Sequence, residues 1–302
     1  MLSTSLKMRP PVSEFRPVPF IVPVPDLTPV VKLGSSDTEE VMNFLNERPV
    51  HTVAMASLIT DNGIESELNR GIFYGYRDRT GSLEAVALIG HSTLVEARSD
   101  RSLRALAFKS RSSATPINLI MSSDDDADTF FAYYGNGALP PRMVADELLF
   151  ETSFPFPVQE CKWDLRPAAP DELDQIACAH AEVAFIESGI NPMSRDRQGF
   201  LRRVLRRIEQ GRTFVVFEDG RLVFKADIIA ETPEVIYLEG VYVAREHRGK
   251  GIASSCLAKM CLHLLERAST VCLLSNASMP HAHRCFEKAG FQHTGSCRTV
   301  FI

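Results

Sequence analysis

From Val241 to Ala253 the chain reads Val-Tyr-Val-Ala-Arg-Glu-His-Arg-Gly-Lys-Gly-Ile-Ala. A β-branched apolar run gives way to a basic segment with two glycines, and an amphipathic run follows. The pattern is that of a strand, a loop and the start of a helix. Glycine lets a backbone come close to a ligand and adopt positive φ. Unpaired N–H groups at a helix start, reinforced by the helix dipole, bind phosphate oxygens. Arg248 and Lys250 add positive charge. The ligand expected here carries a pyrophosphate. The loop has neither the Gly-x-x-x-x-Gly-Lys-[Ser/Thr] of a P-loop nor the Gly-x-Gly-x-x-Gly of a dinucleotide fold.

Arg248-x-x-Gly251-x-Ala253 resembles the [Arg/Gln]-x-x-Gly-x-[Gly/Ala] signature of the GNAT superfamily of N-acetyltransferases. About thirty residues on, Ala282-His283-Arg284-Cys285-Phe286-Glu287-Lys288-Ala289-Gly290-Phe291 resembles that family's closing motif, Ala-x-x-Leu-Tyr-Glu-Lys-x-Gly-Phe. The resemblance spans 162–302. It implies acetyl-CoA as cosubstrate and direct transfer of its acetyl group to an amine, without an acyl-enzyme. Val241, Tyr242 and Val243 would follow the pantetheine arm, with Val241 and Val243 pairing to it through their backbone as to another strand. Backbone N–H groups of Arg248, Gly249, Lys250, Gly251, Ile252 and Ala253, with Ser254 beside them, would hold the pyrophosphate. A strand N–H near Val241 would polarise the thioester carbonyl.

An attacking amine must be neutral, so a proton acceptor is wanted. Glu239 is the first candidate, with Gly240 able to form a bulge that aims it into the cleft. His281 and His283 are second candidates. Two positions depart from the family pattern. Phe286 stands where a tyrosine often protonates the leaving thiolate, and Met279 where an asparagine is frequent. They keep a competing reading open: a module that binds acetyl-CoA without turning it over. The acceptor is expected to be a small amine, and the acidic pI of about 5.9 speaks against basic protein tails.

The elements that must position these groups fall into two α/β (α+β) units. Over 30–153 the pattern gives a strand at 30–33, a helix capped by Ser36 with Glu39, strands at 71–76 and 83–91, a short strand at 118–121 and a helix at 129–134. A Phe-Pro-Phe-Pro linker occupies 154–161. Over 162–302 the pattern gives a strand at 162–166, helices at 169–184 and 197–209, strands at 213–218, 222–230 and 235–243, then a helix at 252–266, a strand at 271–275, a helix at 281–289 and a last strand at 291–302. The shared element order suggests an internal duplication, and the family resemblance then implies tandem acyltransferase-like domains, each a mixed, mostly antiparallel sheet flanked by helices. In the first unit the connection at 95–103 has no glycine and carries Glu96 and Asp100, so its cofactor site is expected to be lost. The run Asp124–Asp128 reads as a solvated helix start. The arginines Arg202, Arg203, Arg206 and Arg207 read as a solvated face of their helix, or as attraction for an acidic substrate or phosphate.

Bulk properties agree with two soluble domains: 302 residues, 45% hydrophobic, net charge −5. The charge disfavours nucleic acid as partner, and no apolar run is long enough to span a membrane. Seven cysteines without paired spacing suit a reducing cytoplasm. Residues 1–29, rich in proline, are expected to form an extended arm that could serve a homodimer.

Overall fold

The computed structural model describes residues 23–123, 125–136, 140–154, 156 and 160–302. Most of the proline-rich arm, Asp124 and part of the 154–161 linker lie outside these residues. The first half runs β1 (Val30–Lys32), α1 (Thr38–Asn46), α2 (Pro49–Asn62), β2 (Gly71–Arg77), β3 (Leu83–Gly90), β4 (Ser92–Ala97), α3 (Asp100–Ser110), β5 (Leu119–Ser123), α4 (Asp126–Gly135) and β6 (Met143–Thr152). The second half runs β7 (Arg166–Pro167), α5 (Leu173–Ser188), α6 (Pro192–Arg195), α7 (Arg197–Glu209), β8 (Thr213–Glu218), β9 (Arg221–Glu231), β10 (Val235–Val243), α8 (Ile252–Leu264), β11 (Thr270–Asn276), α9 (Pro280–Lys288) and β12 (Gln292–Phe301). Each half goes from an edge strand through helices to three strands, then helix, strand, helix, strand.

The two sheets run together as one, in the order β1-β2-β3-β4-β5-β12-β6-β11-β10-β9-β8-β7. Only β4–β5 and β10–β11 are parallel among the described pairs. The final strand of each half crosses into the other. β6 sits between β11 and β12, and β12 sits between β5 and β6. Neither half closes its sheet without the other's last strand.

Local chemistry explains most boundaries. In α7, Phe200, Val204 and Ile208 recur at helical spacing and are buried against Ile176 and Val215. Each such side chain stabilises the fold by about 1.5–3 kcal/mol on burial. The Asp219-Gly220 turn joining β8 and β9 has both residues at positive φ, 50° and 73°, which matches the twist of a hairpin.

Several expectations need correction. The first helix is not capped by Ser36. Gly34 leads a 3-10 turn there, and Asp37 Oδ2 accepts its N–H at 2.9 Å. The connection at 95–103 is the end of β4 and the start of α3. Of 162–166, only Arg166 joins a ladder, with Pro167 beside it, on the sheet edge. Trp163 and Leu165 pack instead against the second-half core.

Candidate active site

The site begins where β10 and β11 part. Their parallel register runs from Val235–Thr270 to Leu238–Leu273 and stops. β10 continues to Val243, so its edge from Glu239 onward has no strand partner on that side. On its other side the register with β9 shifts between Glu239 and Tyr242. Gly240 absorbs the shift at φ +63°. A side chain there would be strained, and its Cβ would lie 2.9 Å from Lys225 Nζ.

A buried ionic network holds this bulge from behind. Lys225 Nζ donates to Gly240 O at 3.1 Å and to Asp227 Oδ2 at 2.5 Å. Lys225 and Asp227 are 0% and 1% exposed. Oδ2 also faces His180 Nδ1 at 3.1 Å and Arg207 at 3.3 Å, and Thr213 donates to Oδ1 at 2.8 Å. Burial alone would raise the Asp227 carboxyl. Lys225 and the His180 hydrogen bond overcome it and hold the group far below the usual carboxylate range.

Beyond Val243 comes the basic loop. Gly249 and Gly251 take φ +77° and +80°, and open space surrounds the Cβ positions of both. From Gly249 to Ser254 the backbone N–H groups have no backbone acceptor, so the start of α8 presents a row of donors. All but that of Lys250 line a cavity with His247, Arg284 and Lys288. Arg248 turns back instead: its Nε donates to Val243 O at 2.9 Å, and its guanidinium lies 3.5 Å from Glu182.

This cavity shares Val243, Arg248, Ala253, His281 and Cys285 with a second one, which runs between α5, β10 and α9. The second shares Glu187, Val241, Met279, Ala282 and Phe286 with a third, of about 270 Å³, at the parting of β10 and β11. The three adjoin through these shared walls and are treated as one channel.

The inner cavity holds three carboxylates, Glu147 of β6, Glu187 of α5 and Glu239 of β10. Glu147 is pushed up to about 7 by burial, reinforced by the charge of Glu239, while the Thr299 hydroxyl at 2.6 Å pulls the other way. Glu187 is the most open of the three. It is also raised, first by loss of hydration and then by the charges of Glu239 and Glu147. Like charges in a walled cavity cannot all ionise freely. Perturbed carboxylates in a cleft mark a site suited to proton transfer.

Of the expected site residues, the structure brings Glu239, Val241, Tyr242, Val243, Arg248, Gly249 and 251–254 onto one channel, while Lys250 lines none of its cavities. His281 lines the same channel but away from the carboxylates. It is exposed, lies at the loop end of the channel with Nδ1 2.6 Å from Arg284, and does not line the carboxylate cavity. His283 Nε2 lies 3.0 Å from Asn276 O, and its ring stacks on Phe150. Phe286 is buried and packs edge-on against Phe150, while still lining the channel beside Met279. Glu147 and Glu187 were not read from the sequence.

The corresponding place in the first half has no such loop. β4 ends at Ala97 and α3 starts at Asp100, with Ser99 accepting from Ser102 N–H as its cap. Glu96 is 2% exposed and pairs with Arg48 at 3.0 Å and with Arg98. A carboxylate buried between two partly exposed arginines thus occupies this place. The arginine face of α7 is also less solvated than expected, since Arg206 reaches Asn62 at 2.8 Å and Arg207 reaches Asp227.

Residues 180–291 match the family model "Acetyltransferase (GNAT) family". No curated relative matches the sequence significantly. Among solved structures, a Drosophila protein aligns with TM-score 0.67 at 9% identity, over 91% of this chain and 98% of its own. A GCN5-related N-acetyltransferase from Sphaerobacter thermophilus aligns with TM-score 0.54 at 16% identity, over 92% and 97%. A tandem GNAT protein from the clavulanic acid biosynthesis pathway aligns with TM-score 0.54 at 13% identity, over 90% and 98%. Residues 180–291 thus carry the match to the GNAT acetyltransferase family, and the chain as a whole shares the fold of a tandem GNAT protein.

Proposed function

We propose that the second half transfers the acetyl group of acetyl-CoA to the amine of a small acceptor, and that the first half supplies part of the acceptor cavity. The observation that carries this reading is the channel of adjoining cavities from the N–H row at Gly249–Ser254 to the carboxylates Glu147, Glu187 and Glu239. The donors and the cationic side chains around them fit a pyrophosphate. The unpaired edge of β10 fits an extended amide-bearing arm. Val243 O is already taken by Arg248, so pairing there falls to Val241 and to the Val243 N–H.

In the reaction, the acceptor enters as an ammonium ion and gives a proton to a carboxylate of the inner cavity. Its nitrogen lone pair attacks the acetyl carbonyl carbon, the C–S bond breaks, and the second proton lost by the nitrogen ends on the departing thiolate. The Val241 N–H, freed by the bulge, faces the developing negative charge on oxygen. Glu239, at the bulge, and Glu147, with its proton affinity matched to neutral pH, serve as the acceptors of the proton. Phe286 has no proton to give, so the nitrogen's second proton reaches the thiolate directly or through solvent.

The units at 30–153 and 162–302 act jointly, because Leu119, Met121, Ala145 and Glu147 of the first half wall the inner cavity. The second reading, a sensor that binds acetyl-CoA without turnover, rests on Phe286 and Met279. Thiol release from acetyl-CoA with a panel of amines separates the two. Amine-dependent release supports transfer, and tight binding without release under every acceptor supports the sensor. The seven free thiols suit a reducing compartment such as the cytoplasm, and no helix among the described residues is long and apolar enough to cross a membrane.

A further inference from the structure

A second cavity opens beside the carboxylates, at the seam between the two halves. It shares Leu119, Ala184, Ser188 and Phe301 with the carboxylate cavity. Its volume is about 460 Å³, and its lining has the opposite charge. Arg70, Arg142, Arg195 and Arg203 line it with His91, against one acidic side chain, Asp196.

The cluster is built rather than incidental. Arg70 stands in the left-handed region at φ +56°, uncommon for a residue with a side chain. Its carbonyl accepts the N–H of His91 at 3.2 Å, which fixes the two residues side by side. Asn118 Oδ1 accepts from Arg195 at 3.1 Å, and Asn118 Nδ2 lies 3.2 Å from His91 Nδ1. Ser188 O accepts from Arg142 at 2.7 Å, which ties the first half to α5. Arg203 is 3.5 Å from Asp196. The groups feel one another. Lost hydration, then Arg203, depresses Arg70, and lost hydration, then Arg70, depresses His91. An arrangement that holds like charges together is relieved by an anion, and arginine forks suit carboxylate and phosphate oxygens.

We propose that the acceptor is a zwitterion: an amine that also carries a carboxylate or phosphate, the anionic end held by Arg70 and Arg195 while the amine reaches Glu147 and Glu239. This deepens the acetyl-transfer reading and rests on it.

The test uses the full chain and measures thiol release from acetyl-CoA with matched pairs of acceptors. Amino acids are compared with the amines that lack their carboxylate, and aminoalkyl phosphates with the corresponding amino alcohols. At least tenfold higher kcat/KM for one anionic series is expected, and the better series tells carboxylate from phosphate. Arg70→Asn tolerates the left-handed backbone, and Arg195→Gln keeps a donor for Asn118. Each should raise KM for the anionic acceptor at least tenfold and leave the uncharged partner unchanged. Equal use of both members of every pair, or a preference untouched by both variants, overturns the proposal. Direct binding of inorganic phosphate and acetate to the chain, followed calorimetrically, separates the two levels of inference. Anion binding lost in Arg70→Asn, with no thiol release under any amine, keeps the anion site and removes the transfer reading. No anion binding and no anionic preference removes the site.

Discussion

The hydroxyl of Thr299 donates a hydrogen bond of 2.6 Å to Oε2 of Glu147, tying the last strand of the second half to the last strand of the first. Neither residue lies in the family motifs. Together they place a carboxylate of the first half inside a cavity that opens onto the second half's channel. The first half therefore cannot be removed to ask what it does, because deleting it takes away β6 from between β11 and β12.

Glu147→Gln keeps the shape of the side chain and removes the base. We expect kcat/KM to fall about 100-fold, a usual contribution from general base catalysis. In the native chain the carboxylate is protonated below about 7, so activity should fall as pH drops through that value. The variant should lose this acid limb. A pH profile of kcat/KM checks it, and an unchanged limb places the base elsewhere.

Thr299→Val removes the hydrogen bond that lowers the proton affinity of Glu147. Burial and the charge of Glu239 then act unopposed, so the acid limb should move to higher pH, while acetyl-CoA binding is unaltered. A limb that stays in place, or moves down, contradicts the assignment.

The same carboxyl sets a slope in stability. Its folded value, about 7, lies above the ordinary 4.5. Between these the folded state holds the proton and the unfolded state does not, so stability is lost as pH rises through this window. The loss is at most about 3.5 kcal/mol, since one unit is worth about 1.4. Urea unfolding at pH 5 and pH 8 should show it in the native chain and a smaller slope in Glu147→Gln.

Parts of this site were legible in sequence because their cause is local. Gly249 and Gly251 take the positive φ their spacing suggests, and Gly240 forms the bulge expected beside Glu239. The carboxylate cavity was not legible. Glu147 reaches it only through the exchange of β6, a pairing between distant segments that no local pattern encodes. β6 itself hides because Asp146, Glu147 and Glu151 weaken its strand signal. α2 hides for another reason. Its apolar residues surround the helix rather than forming one stripe, since it packs against both α1 and the second-half strands β9 and β10.

Lys225→Met leaves Asp227 buried without its nearest counter-charge. A loss of about 3–5 kcal/mol is expected, as for other broken buried pairs. The double change Lys225→Met with Asp227→Asn should recover much of it. Chemical denaturation of the two variants decides the point, and additive losses contradict the pairing.

The central claim is that acetyl-CoA, held by its pyrophosphate at the loop Gly249–Ser254, gives its acetyl group beside Val241 to an amine near Glu147 and Glu239. Its most direct test is amine-dependent thiol release from acetyl-CoA by the native chain and by Gly251→Ala. That change meets no steric contact and acts only through its φ of +80°. The account predicts release that needs both acceptor and chain, with KM for acetyl-CoA raised at least tenfold in the variant. Acetyl-CoA bound tightly with no release under any amine, or release indifferent to Gly251→Ala, would contradict it.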